Sequence, residues 1–428
     1  MVGRELEVTI DALGASGDGI AVSEAGQVFV PLALPGERWR VRLERRVPQG
    51  WQAAPLACLA EAERQVPPCP HFGRCGGCRL QHLPPELYIA HKRQRIVAAL
   101  ARRGLADDRV GELLVTPPAV RRRLRFGISR HGRRLVAGFR HRGSHRLEPI
   151  ELCPIAYPEL VAALPGLVAG MAEATEQPDP TEASLTLTQA GLDLLLHAGR
   201  PPRPVERERL AGMADGLDLA RLSWVTGEGT SEPIVTRRLP VVRLGGVPVV
   251  LPPGAFLQAS GFADAALGGI IAEWAHGARQ AVDLFAGVGT LSLALARSVA
   301  RVRAFEGDAA STLALRRAAA EARLGGVSVE RRDLTRRPLT SAELKGCDLV
   351  VLDPPRGGAP EQVQQLAEAQ IAQVIYVSCS PESFARDARV LVDGGLSLIA
   401  VRPIDQFLYA AEVELVARFV RAPRAKRP

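Results

Sequence analysis

The chain has 428 residues, of which 47% are hydrophobic, so it is long enough for several globular domains with apolar cores. Its net charge of +8 permits binding to nucleic acid without requiring it. The first residues contain no apolar signal segment, and no apolar run has the length of a membrane span. These features argue against secretion and membrane insertion, and we expect a cytoplasmic protein.

The first 58 residues have the pattern of a small β domain. Apolar and polar residues alternate over residues 5–10, 26–31 and 38–43, and glycines separate these stretches. Short strands at regular spacing predict a small barrel of the oligonucleotide-binding type over residues 1–58. Its later strands carry Arg38, Arg40, Arg42, Arg45 and Arg46. These arginines favour contact with an RNA backbone, although a solvated strand face explains them almost equally well.

Three cysteines follow in a glycine-rich segment with the spacing C-x5-C-x2-C. They are Cys69, Cys75 and Cys78, and a fourth, Cys153, precedes a proline further along the chain. Four thiolates hold either a [4Fe–4S] cluster or a structural zinc ion, and the spacing does not separate the two. Without a secretory signal, clustered cysteines indicate metal more often than disulfides. We therefore predict a metal site in a central mixed α/β domain, residues 59–250.

The densest positive charge lies within residues 121–146. It comprises Arg121, Arg122, Arg123, Arg125, Arg130, Arg133, Arg134, Arg140, Arg142 and Arg146. Aromatic side chains are interleaved with these arginines, and the combination suits phosphate contacts together with base stacking. We predict RNA contacts at Arg123, Arg125, Phe139 and Arg140. The alternative is a surface hairpin that only keeps the protein soluble.

Residues 281–296 predict a buried strand, a tight turn containing Gly287 and Gly289, and a helix. Glycine lets the backbone approach a ligand closely, and free N–H groups at a helix start suit an electron-rich group. The next predicted strand ends in Glu306, where nucleotide-binding folds place a carboxylate for ribose hydroxyls. Ser292 occupies the place of the third glycine of the dinucleotide fingerprint, so a smaller adenosine ligand fits better. An ordinary strand–helix turn is the alternative interpretation.

Strands and helices alternate over residues 251–428, which predicts a doubly wound parallel sheet in a third domain. The predicted helix over residues 85–103 either stays in the central domain or packs on this third one. Ligands bind at the carboxyl ends of parallel strands. The residues at these predicted ends are Glu306, Asp333, Asp353 and Cys379. Their convergence is the strongest indication of an active site in the sequence.

Several motifs accompany this pattern. They are the four cysteines, Phe256-Leu257-Gln258, the 283–290 turn, Asp353-Pro354-Pro355-Arg356-Gly357, Ser378-Cys379-Ser380-Pro381 and Asp405-Gln406-Phe407. Together they resemble the bacterial RNA uracil-5-methyltransferases with an N-terminal TRAM domain, most of all the iron–sulfur branch that acts on 23S rRNA. The resemblance covers nearly the whole chain. It implies a Rossmann-like class I methyltransferase sheet, a TRAM barrel and a central iron–sulfur domain, in an α/β protein.

The resemblance also implies a mechanism. S-adenosylmethionine is the methyl donor, and iron is favoured over zinc at the cysteines. Cys379 adds to C6 of the uracil, C5 takes the methyl group, and Glu414 removes the C5 proton before the thiolate leaves. Asp353 helps hold the uracil edge. The donor pocket is expected to contain Gln258, Phe285, Gly287, Glu306, Asp333 and Asp353, and the implied partner is 23S rRNA with no protein partner.

The last motif departs from the family pattern Asp-Met-Phe-Pro-x-Thr-x-His-Val-Glu. Leu408, Ala410 and Glu412 replace its Pro, Thr and His. If residues 412–414 form a strand, the carboxylates of Glu412 and Glu414 face the same side and repel each other unless one is protonated or turns away. Two alternatives therefore stay open: the same chemistry on tRNA, whose branch typically lacks the barrel and cysteines, and an RNA-binding or ribosome-assembly protein with decayed activity.

Overall fold

The computed structural model describes residues 1–132, 134–176, 180–227 and 229–421. Arg133 of the predicted RNA face and residues 422–428 of the predicted third domain lie outside the described residues. Within the described ranges, no helix combines the length and the apolar composition needed to cross a membrane.

The N-terminal strands form one mainly antiparallel sheet in the order β1-β5-β6-β4-β3-β2. They are β1 (Glu5–Thr9), β2 (Ala12–Leu13), β3 (Gly19–Ser23), β4 (Gly26–Val30), β5 (Arg38–Val47) and β6 (Gly50–Ala60). Val41 and Leu43 of β5 are buried, whereas Arg40 and Arg42 between and beside them face solvent. The buried side chains pack against one another in a core of their own. A sheet that encloses its own core curls into a barrel, which confirms the predicted small barrel.

A second sheet occupies the middle of the chain, in the order β10-β9-β8-β11-β12-β13-β14. Its strands are β8 (Arg123–His131), β9 (Arg134–Arg140), β10 (Leu147–Glu148), β11 (Glu182–Thr188), β12 (Gly191–Ala198), β13 (Arg221–Thr226) and β14 (Glu232–Thr236). Helices α2 (Pro158–Ala174) and α3 (Pro204–Gly216) bury their apolar faces against it. A ribbon of β15 (Val241–Leu244) and β16 (Val247–Val250) leads to the C-terminal sheet. Both helices and strands contribute to this region, as the mixed α/β prediction requires.

The C-terminal sheet has the order β19-β18-β17-β20-β21-β23-β22-β7. Its elements are β7 (Leu114–Val115), α4 (Gly261–Trp274), β17 (Gln280–Leu284), α5 (Thr290–Leu295), β18 (Arg301–Glu306), α6 (Ala309–Glu321), β19 (Val327–Arg331), β20 (Leu349–Leu352), α7 (Pro360–Glu368), β21 (Gln373–Ser378), α8 (Pro381–Asp393), β22 (Leu396–Asp405) and β23 (Glu414–Arg421). Strands β17 to β21 pair in parallel, and β23 runs antiparallel between β21 and β22. Successive residues of β17, Ala281 and Val282, enter two different cores. Helices therefore cover both faces of the sheet, which confirms the doubly wound prediction.

Helix α1 (Pro85–Ala101) and strand β7 lie with this C-terminal sheet although they precede the central one in sequence. Strand β7 pairs in parallel with β22 at the sheet edge. From α1, Ile96 and Leu100 join the core that also contains Val374 and Phe384. Since α1 follows the cysteine segment directly, this packing brings the cysteines and the active-site sheet into one connected structure.

Candidate active site

The turn after β17 has the backbone shape that a close ligand approach requires. Gly287 and Gly289 have φ angles of +56° and +103°, and Phe285 has a φ angle of +63°. A Cβ atom at Gly289 lies only 2.4 Å from the Leu315 side chain, so this position demands glycine. A positive φ angle is energetically unfavourable for a phenylalanine, and residues in such conformations cluster at ligand sites. The turn is therefore specialised beyond what a strand–helix connection needs.

Glu306 ends β18 and clasps this turn with its carboxylate. One oxygen accepts the Gly287 N–H at 2.8 Å, and the other accepts the Asp308 N–H at 2.7 Å. Each carboxylate oxygen has a second lone pair, so two acceptor sites are left for hydroxyl groups. Asp333 follows the neighbouring strand β19, is exposed, and accepts bonds from the N–H and hydroxyl of Thr335. Both acids thus lie at the carboxyl edge of the sheet, where the sequence predicted them.

Asp283 is a buried acid that the sequence analysis did not single out. It lies inside β17 with no exposed surface and accepts a bond of 2.5 Å from the Ser292 hydroxyl. Burial raises the pKa of Asp283 to about 7, and the charges of Asp353 and Glu306 act in the same direction. Ser292 therefore replaces the third fingerprint glycine with a partner for this acid. A charged residue within an apolar strand was the available signal.

A chain of polar side chains connects two buried carboxylates at the centre of the site. Asp353, after β20, accepts from Gln258 Nε2 at 3.1 Å. Gln406 Nε2 donates to Gln258 Oε1 at 2.9 Å and to Glu414 Oε2 at 2.5 Å. Burial raises the pKa of both acids, and repulsion by Asp353 raises the pKa of Glu414 further. The structure thus joins Gln258, Asp353 and Glu414, three predicted site residues, through Gln406, which was not predicted.

Cys379 lies in the turn after β21, partly buried, beside both of these carboxylates. Burial raises the pKa of its thiol to about 11, and the charges of Glu414 and Asp353 add to this, whereas Arg356 opposes it. Cys379 directly follows the last residue of β21, so it lies at the strand end that its sequence position predicts. Its protonated form is favoured in the free protein, so forming the thiolate requires added positive charge or proton transfer.

Glu412 and Glu414 occupy different environments. Strand β23 begins at Glu414, so residues 412–414 do not form the strand that places both acids on one side. The Glu412 side chain is 41% exposed and lies 3.8 Å from Arg356, while Glu414 is buried. The predicted repulsion between the two carboxylates is avoided because Glu412 points away from Glu414, toward the exposed Arg356.

The segment between β22 and β23 is anchored by α1. Lys92 is fully buried, pairs with Asp405, and donates to the carbonyls of Phe407 at 3.0 Å and Glu412 at 2.8 Å. The Tyr88 hydroxyl also bonds to Asp405 and accepts the Tyr409 N–H at 2.9 Å. A buried, fully bonded ion pair of this kind fixes geometry. It holds the segment that carries Gln406 in place above the site.

Four thiols surround one cavity in the central region. Cys69, Cys75, Cys78 and Cys153 line a space of about 210 Å³, together with Gln81, Arg121 and Phe139. The cysteines of the sequence motif are therefore brought together. Within the described ranges, no three or more His, Cys, Asp or Glu side chains converge tightly enough to hold a metal ion. The thiols ring a cavity and do not meet at one point.

The geometry can be compared with known proteins. A family model described as tRNA (Uracil-5-)-methyltransferase matches residues 255–419, and a TRAM domain model matches residues 1–49. An uncharacterized RNA methyltransferase of Brucella melitensis is 41% identical over 96% of this chain and 97% of its own length. The 23S rRNA (uracil(1939)-C(5))-methyltransferase of Chromohalobacter salexigens is 33% identical over 98% of this chain and 90% of its own. This chain belongs to the RNA (uracil-5-)-methyltransferase family.

The fold of this uracil methyltransferase also occurs among solved structures. The tRNA (uracil-54, C5)-methyltransferase of Pyrococcus abyssi, solved with S-adenosyl-L-homocysteine, superposes with a TM-score of 0.74 and 22% identity. The match covers 97% of this chain and 99% of that one. It confirms the Rossmann-like fold, and the TRAM match confirms the predicted identity of the N-terminal barrel.

The residues predicted to contact RNA have mixed environments in the methyltransferase. Arg123 donates to the Ala255 carbonyl at 3.0 Å and to the Gly254 carbonyl at 3.4 Å, against the segment before Gln258. Phe139 packs at the edge of the central core and lines the cysteine cavity. Arg125 is exposed beside Glu182, and Arg140 is exposed. Arg125 and Arg140 are thus accessible to a phosphate, whereas the Arg123 guanidinium is bonded to the backbone just before Gln258.

Proposed function

We propose that this enzyme transfers a methyl group from S-adenosylmethionine to C5 of a uridine in 23S rRNA through a covalent adduct of Cys379 at C6. The observation that carries the proposal is the grouping of Cys379, Asp353 and Glu414 at the ends of adjacent strands. A nucleophile and a base that reach the same ring are what an addition–elimination at C5 and C6 requires. The family and the 33% identical relative support the same reaction class.

The donor is expected at the turn after β17. Gly287 leaves open space beside the backbone, and Glu306 and Asp333 supply acceptors at the ends of β18 and β19. We assign Glu306 to the ribose hydroxyls, Asp333 to the adenine side, and Gln258 with Phe285 to the walls of the pocket. S-adenosylmethionine supplies an electrophilic methyl group on a positively charged sulfonium. The ionised carboxylates of Asp353 and Glu414 favour that charge electrostatically.

The chain's own groups account for the proton and electron movements. The Cys379 thiolate forms a bond to C6, and the electron pair of the C5=C6 double bond moves to C5, which becomes nucleophilic. After C5 has taken the methyl group, Glu414 accepts the C5 proton, the C5–H electron pair restores the C5=C6 double bond, and the C6–S bond breaks to release the thiolate. A carboxylate whose pKa is raised by burial is a stronger base than an exposed one, which suits this step. Asp353, whose carboxyl faces the same centre, is assigned to the uracil edge.

The reaction is tested by the fate of the C5 hydrogen. RNA transcripts carrying tritium at uridine C5 release it to water only when C5 is substituted. We expect release with S-adenosylmethionine and 23S rRNA, one tritium per methyl group transferred, and no release from tRNA transcripts. Methyl transfer without tritium release contradicts C5 as the target, and release from tRNA alone contradicts the rRNA assignment.

A tRNA uridine is the second candidate substrate. The family model carries the tRNA description, and it covers the catalytic region of this chain. The 33% identical relative, named a 23S rRNA enzyme, favours rRNA. The barrel does not separate the two substrates, because the tRNA enzyme of Pyrococcus abyssi matches 97% of this chain. Decayed activity is disfavoured because Asp353, Gln258, Gln406 and Glu414 form one connected hydrogen-bond network near the Cys379 thiol.

We further propose that the cysteine cavity holds a [4Fe–4S] cluster. A space of about 210 Å³ lined by four cysteines suits a cluster that takes four thiolate ligands. The buried Gln81 amide and the Arg121 guanidinium line the same space. An amide donor and a cation both suit an anionic cluster.

Metal analysis distinguishes an iron–sulfur cluster from a zinc ion. We expect anaerobically purified protein to contain about four iron and four sulfide per chain, with no stoichiometric zinc. Cys78→Ser should lose most of the iron, and Cys58→Ser, a cysteine of the barrel, should keep it. Zinc alone in the wild-type protein, or equal iron in both variants, contradicts the assignment.

A further inference from the structure

Gln406 lies between the proposed base, Glu414, and Gln258 of the proposed methyl-donor pocket. Its side chain is buried, and both its carbonyl oxygen and its Nε2 group are hydrogen-bonded. Oε1 accepts the Ala259 N–H at 3.2 Å, and Nε2 donates to Gln258 Oε1 at 2.9 Å and to Glu414 Oε2 at 2.5 Å.

The direction of the hydrogen bonds is fixed by the backbone. The Ala259 N–H only donates, so it selects the carbonyl oxygen of Gln406 and turns the Nε2 group toward the other two partners. Gln258 must then present Oε1 to Gln406, which leaves its Nε2 for Asp353 at 3.1 Å. The Nε2 groups of Gln258 and Gln406 therefore donate to the carboxylates at the two ends of the network, Asp353 and Glu414.

We propose that Gln406 is a positioning residue that orients Glu414 and favours its ionised form, so that it is ready to accept the C5 proton. A hydrogen-bond donor stabilises the charged form of a carboxylate. A donor that is already in place does not have to rearrange when the uracil ring binds. This proposal rests on the assignment of Glu414 as the base. It extends that assignment, because it explains how a base buried beside another acid stays usable.

The other groups around Glu414 act against its ionisation or are remote from it. Asp353 and the Cys379 thiol face it from the ends of β20 and β21, and the charge of Asp353 opposes that of Glu414. Glu412 turns outward to Arg356, and Arg356 acts on the Cys379 thiol. The Gln406 bond lowers the pKa of Glu414, whereas burial and Asp353 raise it. Gln406 is thus the bonded donor that offsets the repulsion.

The test is the pH profile of single-turnover methyl transfer. Glu414 must be deprotonated, so the rate rises with pH through its pKa. Removing a donor to the carboxylate raises that pKa and shifts the acid limb to higher pH. For Gln406→Met we expect a shift of about one pH unit, with a roughly 10-fold lower rate below the limb and recovery above it. Gln406→Glu keeps the shape and the Ala259 contact but adds repulsion, so its shift should be at least as large.

Gln362 provides a matched control. It is also a buried glutamine, bonded to both the N–H and the carbonyl of Leu339 at 2.9 and 3.1 Å, away from Glu414. Gln362→Met should lower the melting temperature without moving the limb. An unmoved limb in both Gln406 variants, whether or not their rates fall, overturns the proposal. Failure of the proposed function looks different, because the wild-type enzyme then releases no tritium and Glu414→Gln traps no adduct.

Discussion

Cys379→Ala is expected to abolish methyl transfer to RNA and any covalent protein–RNA complex. Alanine removes the only atom of this side chain that can bond to uracil C6, and without that bond C5 does not become nucleophilic. We expect the rate to fall by about 10³-fold or more. Transfer is measured with labelled S-adenosylmethionine on 23S rRNA, and the complex is measured as an RNA-linked band in denaturing gels.

Cys347→Ala is the matched control. Its thiol is partly buried, donates to the Leu349 carbonyl at 2.9 Å, and lies at the opposite end of β20 from Asp353. It should keep wild-type activity and complex formation. An active Cys379→Ala enzyme contradicts the nucleophile assignment. Equal losses in both variants indicate a general effect of cysteine removal and contradict it as well.

Glu414→Gln is expected to accumulate the covalent complex that the wild-type enzyme resolves. Glutamine has the same shape and still offers an oxygen to Gln406, but it does not accept the C5 proton. Addition and methyl transfer precede this step, so the variant should stop with Cys379 still bound to C6. We expect turnover to fall by about 10²–10⁴-fold, with a stable complex forming in proportion to enzyme. The complex is quantified in denaturing gels and by mass spectrometry of the Cys379 peptide.

Glu412→Gln separates the two acids. Glu412 is half-exposed and paired with Arg356, so its replacement should leave turnover close to wild type and trap no complex. If Glu412→Gln accumulates the complex while Glu414→Gln turns over, the base has been assigned to the wrong acid. Substrate binding by each variant is followed in parallel, so that a loss of RNA affinity is distinguished from a loss of proton transfer.

The sequence predicts the carboxyl edge of the sheet well. Continuous apolar strands such as 349–352 are characteristic of a parallel sheet covered on both faces, and reactive residues immediately after them must converge. Once β20 and β21 are known to be neighbours in the sheet, Asp353 and Cys379 are expected to lie close together. The positive φ values at Gly287 and Gly289 follow from residue type alone.

The connections between distant segments are not predictable in this way. Lys92 and Asp405 are separated by 313 residues, and neither residue type nor spacing pairs them. The bonds of Gln406 depend on the exact path of the 406–413 segment, which Lys92 fixes. Arginine-rich composition likewise does not separate Arg122, which is buried on the Gln258 carbonyl, from the exposed Arg140. These distinctions arise from tertiary packing.

The most direct test of the central claim is a map of 5-methyluridine in total RNA from a strain that lacks this gene, beside its parent. We predict that one uridine of 23S rRNA loses its 5-methyl group and regains it when the wild-type gene is restored, but not when Cys379→Ala is supplied. The tRNA sites should be unchanged. Unaltered 23S rRNA together with loss of 5-methyluridine from tRNA contradicts the account.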